Sequence, residues 1–219
     1  METRLLEMRW SDPDPTVLEA VARHLTEGGL VAMPTETVYG FGCIPDPAPL
    51  LDLQRLKGRG PEKPFLLLIP EVESVPELDW VPEARELADV FWPGALTLVL
   101  MDPKGVFPLG IRNPEGGVAI RVSPHPLARA VVTTLGGPIV STSANAPGGV
   151  PALTAEEARR TAEDLGAGTG LWTLDGGPLL PSDPSTIIDF TGSGPVVRRV
   201  GAIPLHRLRC VLPGIHEPS

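Results

Sequence analysis

The chain has 219 residues, a formal net charge of −9, and 42% hydrophobic against 21% charged residues. That length suits one large domain and that composition excludes disorder along the whole chain. The negative charge excludes a general electrostatic attraction for nucleic acid, so an anionic ligand would have to meet a local cluster of Lys and Arg.

Residues 4–8 read as a first strand. Asp14-Pro15 marks a helix start, with Asp14 as the cap and Pro15 at the first helical position. Val17, Leu18, Val21, Ala22 and Leu25 follow at helical spacing, and Gly28-Gly29 ends the helix. Leu30 to Met33 is a short apolar run, a buried strand ending at Pro34. Helices are then expected around Leu50 to Leu56, Glu83 to Phe91, Leu127 to Leu135 and Ala155 to Leu165. The last carries a capping box, Thr154 with Glu157. Strands are expected at Phe65 to Ile69, Leu96 to Met101, Val118 to Val122 and Ile139 to Thr142, with shorter ones at Leu171 to Leu174, Thr186 to Phe190 and Val196 to Val200. This alternation predicts an α/β domain, a twisted mixed sheet of parallel and antiparallel strands with flanking helices. Residues 1–205 are read as one domain. Ile203 to Ser219, rich in Pro and His, reads as a loose tail, with 206–219 outside the domain.

No apolar run approaches the roughly 18 residues that span a bilayer, and Glu2, Arg4, Glu7 and Arg9 argue against a signal peptide. A cytoplasmic protein without membrane contact is therefore expected. Cys43 and Cys210 read as two buried thiols. The four histidines are scattered, and no protein-bound metal is indicated.

Three segments could carry chemistry. Pro34 to Gly42 (PTETVYGFG) follows a buried strand directly, where α/β sheets gather ligands. Alone, it reads equally well as a strand-to-helix turn capped by Thr35 or Thr37. Arg55 to Phe65 (RLKGRGPEKPF) places four cations within nine positions of an acidic chain. Such a flexible exposed loop suits phosphate, with Arg as a bidentate fork and Lys as a point charge; a solvated basic loop is the plain alternative. Ile139 to Asn145 runs an apolar strand into four hydroxyl or amide residues. Ser185 to Asp189 and Arg199-Val200-Gly201 are smaller pieces of the same kind. Together they collect an anion-binding set (Lys57, Arg59, Lys63, Arg121, Arg199) and a polar set (Thr35, Ser143, Asn145, Ser185). The combination points to a pocket for a nucleotide and a small polar metabolite.

In order, these segments resemble the YrdC-like family: Pro34 to Gly42, Lys57-Gly58-Arg59, Trp92 to Thr97, Arg121 with Pro124-His125-Pro126, Ser143-Ala144-Asn145, Ser185 to Asp189, and Arg199-Val200-Gly201. The resemblance implies a YrdC-like fold and the synthesis of threonylcarbamoyl-AMP and pyrophosphate from L-threonine, bicarbonate and ATP. The product would pass to a tRNA-modifying transferase that alters adenosine 37. The resemblance also implies Lys57 and Arg59 as catalytic phosphate ligands, and Thr35, Arg121, Ser143 and Ser185 around threonine. Arg59, Lys63, Asn145, Thr154 and Arg199 would lie against ATP, with Mg2+ expected to bridge the phosphates. Lys63 stands where many relatives have Asn, and Leu68 where some have His. Arg198 beside Arg199 leaves the register of the late arginine open by one. Double-stranded RNA binding, possible for a basic concave face, and adenylation of another carbamoyl or carboxylate substrate are the competing functions.

Overall fold

Continuous apolar runs, whose successive side chains point to opposite faces, dictate a sheet buried on both faces. In β2 (Leu30–Pro34) the side chains of Leu30 and Ala32 enter one core, and those of Val31 and Met33 the other. The computed structural model describes residues 4–7 and 13–216. The other strands are β1 (Arg4–Glu7), β3 (Tyr39–Cys43), β4 (Leu66–Leu68), β5 (Leu96–Met101), β6 (Gly117–Arg121), β7 (Ile139–Ser143), β8 (Leu171–Asp175), β9 (Thr186–Asp189) and β10 (Val196–Arg199). They form one sheet in the order β1-β8-β2-β3-β7-β4-β6-β5-β9-β10. The pairs β1–β8, β2–β8, β4–β6 and β5–β9 are parallel, and the other five are antiparallel. The expected mixed sheet is therefore present.

Among the described residues six α-helices cover it: α1 (Pro15–Thr26), α2 (Pro47–Lys57), α3 (Pro82–Phe91), α4 (Pro126–Leu135), α5 (Ala155–Asp164) and α6 (Leu205–Val211). Leu18, Val21 and Leu25 of α1 pack with Leu127, Val131 and Val132 of α4 over one face. Helices α2, α3, α5 and α6 close the larger core on the other. The local signals acted as the sequence suggests. Asp14 Oδ1 accepts from Thr16 N at 2.8 Å. Thr154 and Glu157 form the reciprocal capping box.

Four expectations need correction. Pro34 to Gly42 is not a strand-to-helix turn: Thr35 to Val38 is a tight turn joining β2 to the antiparallel β3. Strand β3 is rich in glycine because the neighbouring β7 backbone comes very close. A Cβ on Gly42 would lie 2.7 Å from Val140 O, and one on Gly40 3.0 Å from Thr142 O. The segment after Ile203 is not loose, since α6 buries Leu208, and Leu212 and Ile215 join the core beyond it. Cys43 is buried as expected, but Cys210, on α6, is exposed; both are free thiols. Lys57 does not lie on an exposed loop. It ends α2 and is only 5% exposed. The first strand keeps Arg4 to Glu7, while Met8 lies outside the described residues.

Candidate active site

A cavity of about 680 Å³ opens where the β2–β3 turn, the end of α2 and the ends of β6, β7, β9 and β10 converge. Its wall carries Arg59, Arg121 and Arg199 and, among the described residues, neither Asp nor Glu. In a chain of net charge −9, that is a local concentration of cations suited to an anionic ligand.

Arg121 ends β6 and is 6% exposed. Burial pulls its pKa down, while the Glu36 carboxylate opposes that shift. Arg199 is likewise lowered, by burial first and by the Arg121 charge second. Its guanidinium donates through Nε to Ser185 O at 2.9 Å and through Nη2 to Ser185 Oγ at 3.2 Å. Ser185 Oγ also lies 2.9 Å from Thr97 Oγ1, both side chains being buried. Gly201 permits this: a Cβ there would sit 2.0 Å from Pro184 O. Arg59 follows the left-handed Gly58 that caps α2, and its guanidinium lies 5.0 Å over the Phe65 ring. Burial lowers its pKa.

The choice between Arg198 and Arg199 is made by a β-bulge. Val197 pairs with Ile188, but the next pair is Arg199 with Ile187. Regular pairing would have set Arg198 opposite Ile187, which lines the cavity. With one extra residue in β10, Arg199 takes that place. Arg198 instead pairs with Asp189, Nε to Oδ2 at 2.9 Å.

The hydroxyl groups are partly spent on local structure. Thr35 Oγ1 donates to Val38 O at 2.7 Å, fixing the β2–β3 turn, and lines the cavity beside Thr37. Ser143 Oγ donates to Asn145 Oδ1 at 2.6 Å. Asn145 Nδ2 donates to Ala146 O and Gly149 O at 2.9 and 2.8 Å. Behind this loop, the Lys57 ammonium donates to Ser143 O at 2.8 Å, to Asn145 Oδ1 at 3.0 Å and to Asn145 O. Burial, and secondarily the Arg59 charge, bring Lys57 down to about 8.

Of the residues read from the sequence, Thr35, Arg59, Arg121, Ser143, Ser185 and Arg199 meet at the cavity. Lys57, Lys63, Asn145 and Thr154 are not in its wall. Lys57 has all three of its protons engaged by the β7–α5 loop, because the end of α2 packs beneath it. Lys63 is exposed. Asn145 ties its own loop together, and the Thr154 hydroxyl accepts from Glu157 N at 3.1 Å as a helix cap. Missed by the sequence reading were Thr97, a buried hydroxyl of β5 in the wall, and Glu36, which approaches Arg121 from behind. Thr97 stood in a motif already singled out. Glu36 likewise stood inside the Pro34 to Gly42 segment already singled out, but no role was read for it there.

A profile for Sua5/YciO/YrdC proteins, described as "Telomere recombination", matches residues 23–201. The chain belongs to this family. A threonylcarbamoyl-AMP synthase of Chromohalobacter salexigens is 39% identical over 188 residues, covering 84% of this chain and 96% of that one. A putative threonylcarbamoyl-AMP synthase of Mycobacterium tuberculosis is 38% identical over 189 residues, 84% of each chain. Among solved structures, Sua5 of Pyrococcus abyssi complexed with L-threonine superposes with a TM-score of 0.88 at 33% identity. That match covers 99% of this chain and 63% of the archaeal one, so this chain spans under two thirds of that relative. The Escherichia coli YciO structure matches with a TM-score of 0.77 at 25% identity, over 91% and 96% of the two chains.

Proposed function

We propose that this chain is a threonylcarbamoyl-AMP synthase, a nucleotidyltransferase that joins L-threonine, bicarbonate and ATP. The observation that carries the reading is the cavity wall: three arginines, no carboxylate, and the hydroxyls of Thr35, Thr37, Thr97, Ser143 and Ser185. The printed names of the relatives supply the activity, and the threonine complex of the Pyrococcus protein supports the amino acid.

Both substrates bring anions to that wall. Arg121, buried and ending β6, is the partner for the threonine carboxylate, with the hydroxyls of Thr35, Ser143 and Ser185 around the rest of the amino acid. Arg59 and Arg199 are the partners for the nucleotide phosphates. The reaction then needs no covalent protein intermediate. Bicarbonate takes up a proton and loses water to give carbon dioxide; the threonine amine attacks that carbon and releases a proton to solvent, giving a carbamate. A carbamate oxygen bonds to the α-phosphorus of ATP, and the bond to the departing pyrophosphate breaks. Catalysis of this kind rests on positioning and on stabilising charge as it develops. Lys57 contributes from beneath by holding the end of β7, with Ser143, and the loop that follows it. Among the described residues no cluster of His, Cys, Asp or Glu could hold a metal, and the cavity wall offers no carboxylate. Mg2+ would therefore come with the phosphates of the nucleotide. We place the activity in the cytoplasm, where a tRNA-modifying transferase would consume the adenylate.

Pyrophosphate release from ATP and Mg2+ tests this, with threonine and bicarbonate each present or omitted. Release that requires both is expected. Release indifferent to threonine would move the reading to another carbamoyl or carboxylate substrate. No release, together with salt-sensitive RNA binding, would favour the RNA-binding alternative.

A further inference from the structure

Arg121 poses an electrostatic question that the cavity wall does not answer. Arg121, a residue only 6% exposed, has left most of its water behind, and Arg199 lines the same cavity wall. Two cations in one wall repel each other and need a counter-charge. The residue that supplies it is Glu36, whose Oε1 lies 3.3 Å from Arg121 Nη1. Glu36 is not part of the cavity wall. It reaches Arg121 from behind, out of the β2–β3 turn.

The carboxylate is held in place independently of Arg121. Ser123 Oγ donates to Glu36 Oε2 at 2.5 Å and accepts from His125 N at 3.2 Å. His125 in turn caps α4, its Nδ1 accepting from Leu127 N at 3.3 Å. A chain of hydrogen bonds thus runs from Glu36 through Ser123, two residues beyond the strand that carries Arg121, to His125 at the start of α4. Burial holds the His125 imidazole toward its neutral form, as an acceptor at that cap. Meanwhile Glu36 Oε1 and Arg121 Nε have no hydrogen-bond partner. The pair is close in charge, but the guanidinium is not consumed by the fold.

We propose that Glu36, anchored by Ser123, is a positioning residue that orients the Arg121 guanidinium for the carboxylate of the amino-acid substrate and offsets the Arg121–Arg199 repulsion. The proposal rests on the assignment of Arg121 to the threonine carboxylate. A neutral side chain of the same shape at position 36 removes the counter-charge. Arg199 then drives the Arg121 guanidinium out of line, and the substrate carboxylate loses its partner. The nucleotide phosphates, held by Arg59 and Arg199, are affected much less.

The test measures L-threonine affinity by calorimetry, and KM for threonine and for ATP by pyrophosphate release. The proteins are wild type, Glu36→Gln, Ser123→Ala, Arg121→Ala and the Glu36→Gln/Arg121→Ala double variant. Glu36→Gln is expected to weaken threonine on the order of tenfold, the scale of one charge-assisted hydrogen bond, with ATP KM unchanged. Ser123→Ala should shift threonine affinity the same way by less. In the Arg121→Ala background, Glu36→Gln should add nothing, because the effect passes through Arg121. A merely structural role would lower thermal stability without this split between substrates. Wild-type threonine affinity in Glu36→Gln, or equal weakening of threonine and ATP, overturns the proposal. Should Glu36→Gln fail to fold, Ser123→Ala decides, since it keeps both charges and removes only the anchor; unchanged threonine affinity there overturns it. Unchanged threonine affinity in Arg121→Ala would refute the reading of Arg121 itself. Loss there without loss in Glu36→Gln would refute the positioning role alone.

Discussion

Replacing Lys57 by methionine keeps the apolar stem and removes an ammonium that donates to Ser143 O, Asn145 Oδ1 and Asn145 O. Hydrogen bonds from a charged donor contribute about 1.5–3 kcal/mol each. Their sum is not the net effect, because burying the ammonium costs desolvation, which is also what brings its pKa down to about 8. Removing the cation recovers that cost, and solvent can reach part of the loop. A net loss of about 3 kcal/mol is the reasonable scale, the low end for removing one partner from a buried charged site. For a chain of this size that lowers Tm by roughly 6–12 °C. Thermal unfolding followed by circular dichroism, with threonine affinity measured on the same samples, gives both numbers. Turnover should fall as well, since Ser143 ends the strand that Lys57 holds. An exposed phosphate ligand would behave differently: turnover would be lost while Tm stayed within about 2 °C of wild type. That result would refute the reasoning and return the ammonium to the phosphates.

Three further outcomes follow from the geometry. Arg199→Ala should cost at least tenfold in turnover, about 1.5 kcal/mol or more of a charge-assisted contact. Arg198→Ala, which loses only a half-exposed ion pair to Asp189, should cost under about 1 kcal/mol of stability and leave turnover intact; the reverse order in a steady-state assay would show that the bulge is misread. Thr154→Ala should cost about 1 kcal/mol in urea unfolding through loss of the α5 cap, with ATP KM unchanged. A severalfold rise in ATP KM would instead make Thr154 a nucleotide contact. Cys43 is pushed up to about 12, by burial first and then by the Asp46 and Asp52 charges. Its folded pKa is raised, so the unfolded thiol ionises while the folded one does not. The stability it contributes is intact below pH 9 and is lost as pH rises toward 12. Wild type should lose about 1.4 kcal/mol from this group between pH 8 and pH 10. Urea titrations at the two pH values should show that loss shrinking in Cys43→Ala, and equal losses in both proteins would contradict it.

The starts of α1 and α5 and most strands were legible because their causes are local, whereas α2 begins at Pro47, three residues before the Leu50 expected. Asp14, Thr154 and the prolines at the first turns of α1, α2, α3 and α4 act within a few residues of themselves. Apolar periodicity likewise needs no knowledge of the partner strand. Strand β3 was hidden because Gly40 and Gly42 carry no apolar pattern. They are glycines for a non-local reason, the close approach of β7. Helix α6 was hidden because the buried side of Leu208, Leu212 and Ile215 exists only once α3 and the sheet edge are in place.

The site divides along the same line. By itself the sequence determined which residue types stand near strand ends, and so the local supply of cations and hydroxyls that suits an anionic ligand. Residue type and order in the chain are enough for that. Only the tertiary structure decided which cations face the cavity. Arg199 is chosen over Arg198 by one extra residue in β10, an event of strand pairing. Lys57 turns inward because the loop after β7 offers three oxygens to the end of α2 across 86 and 88 residues of sequence. Glu36 meets Arg121 and Ser123 although β2 and β6 run in opposite directions, because the β2–β3 turn reaches across to the end of β6, which no local pattern encodes. Charge placement in this protein is a property of register and packing, and both arise between segments distant in the chain.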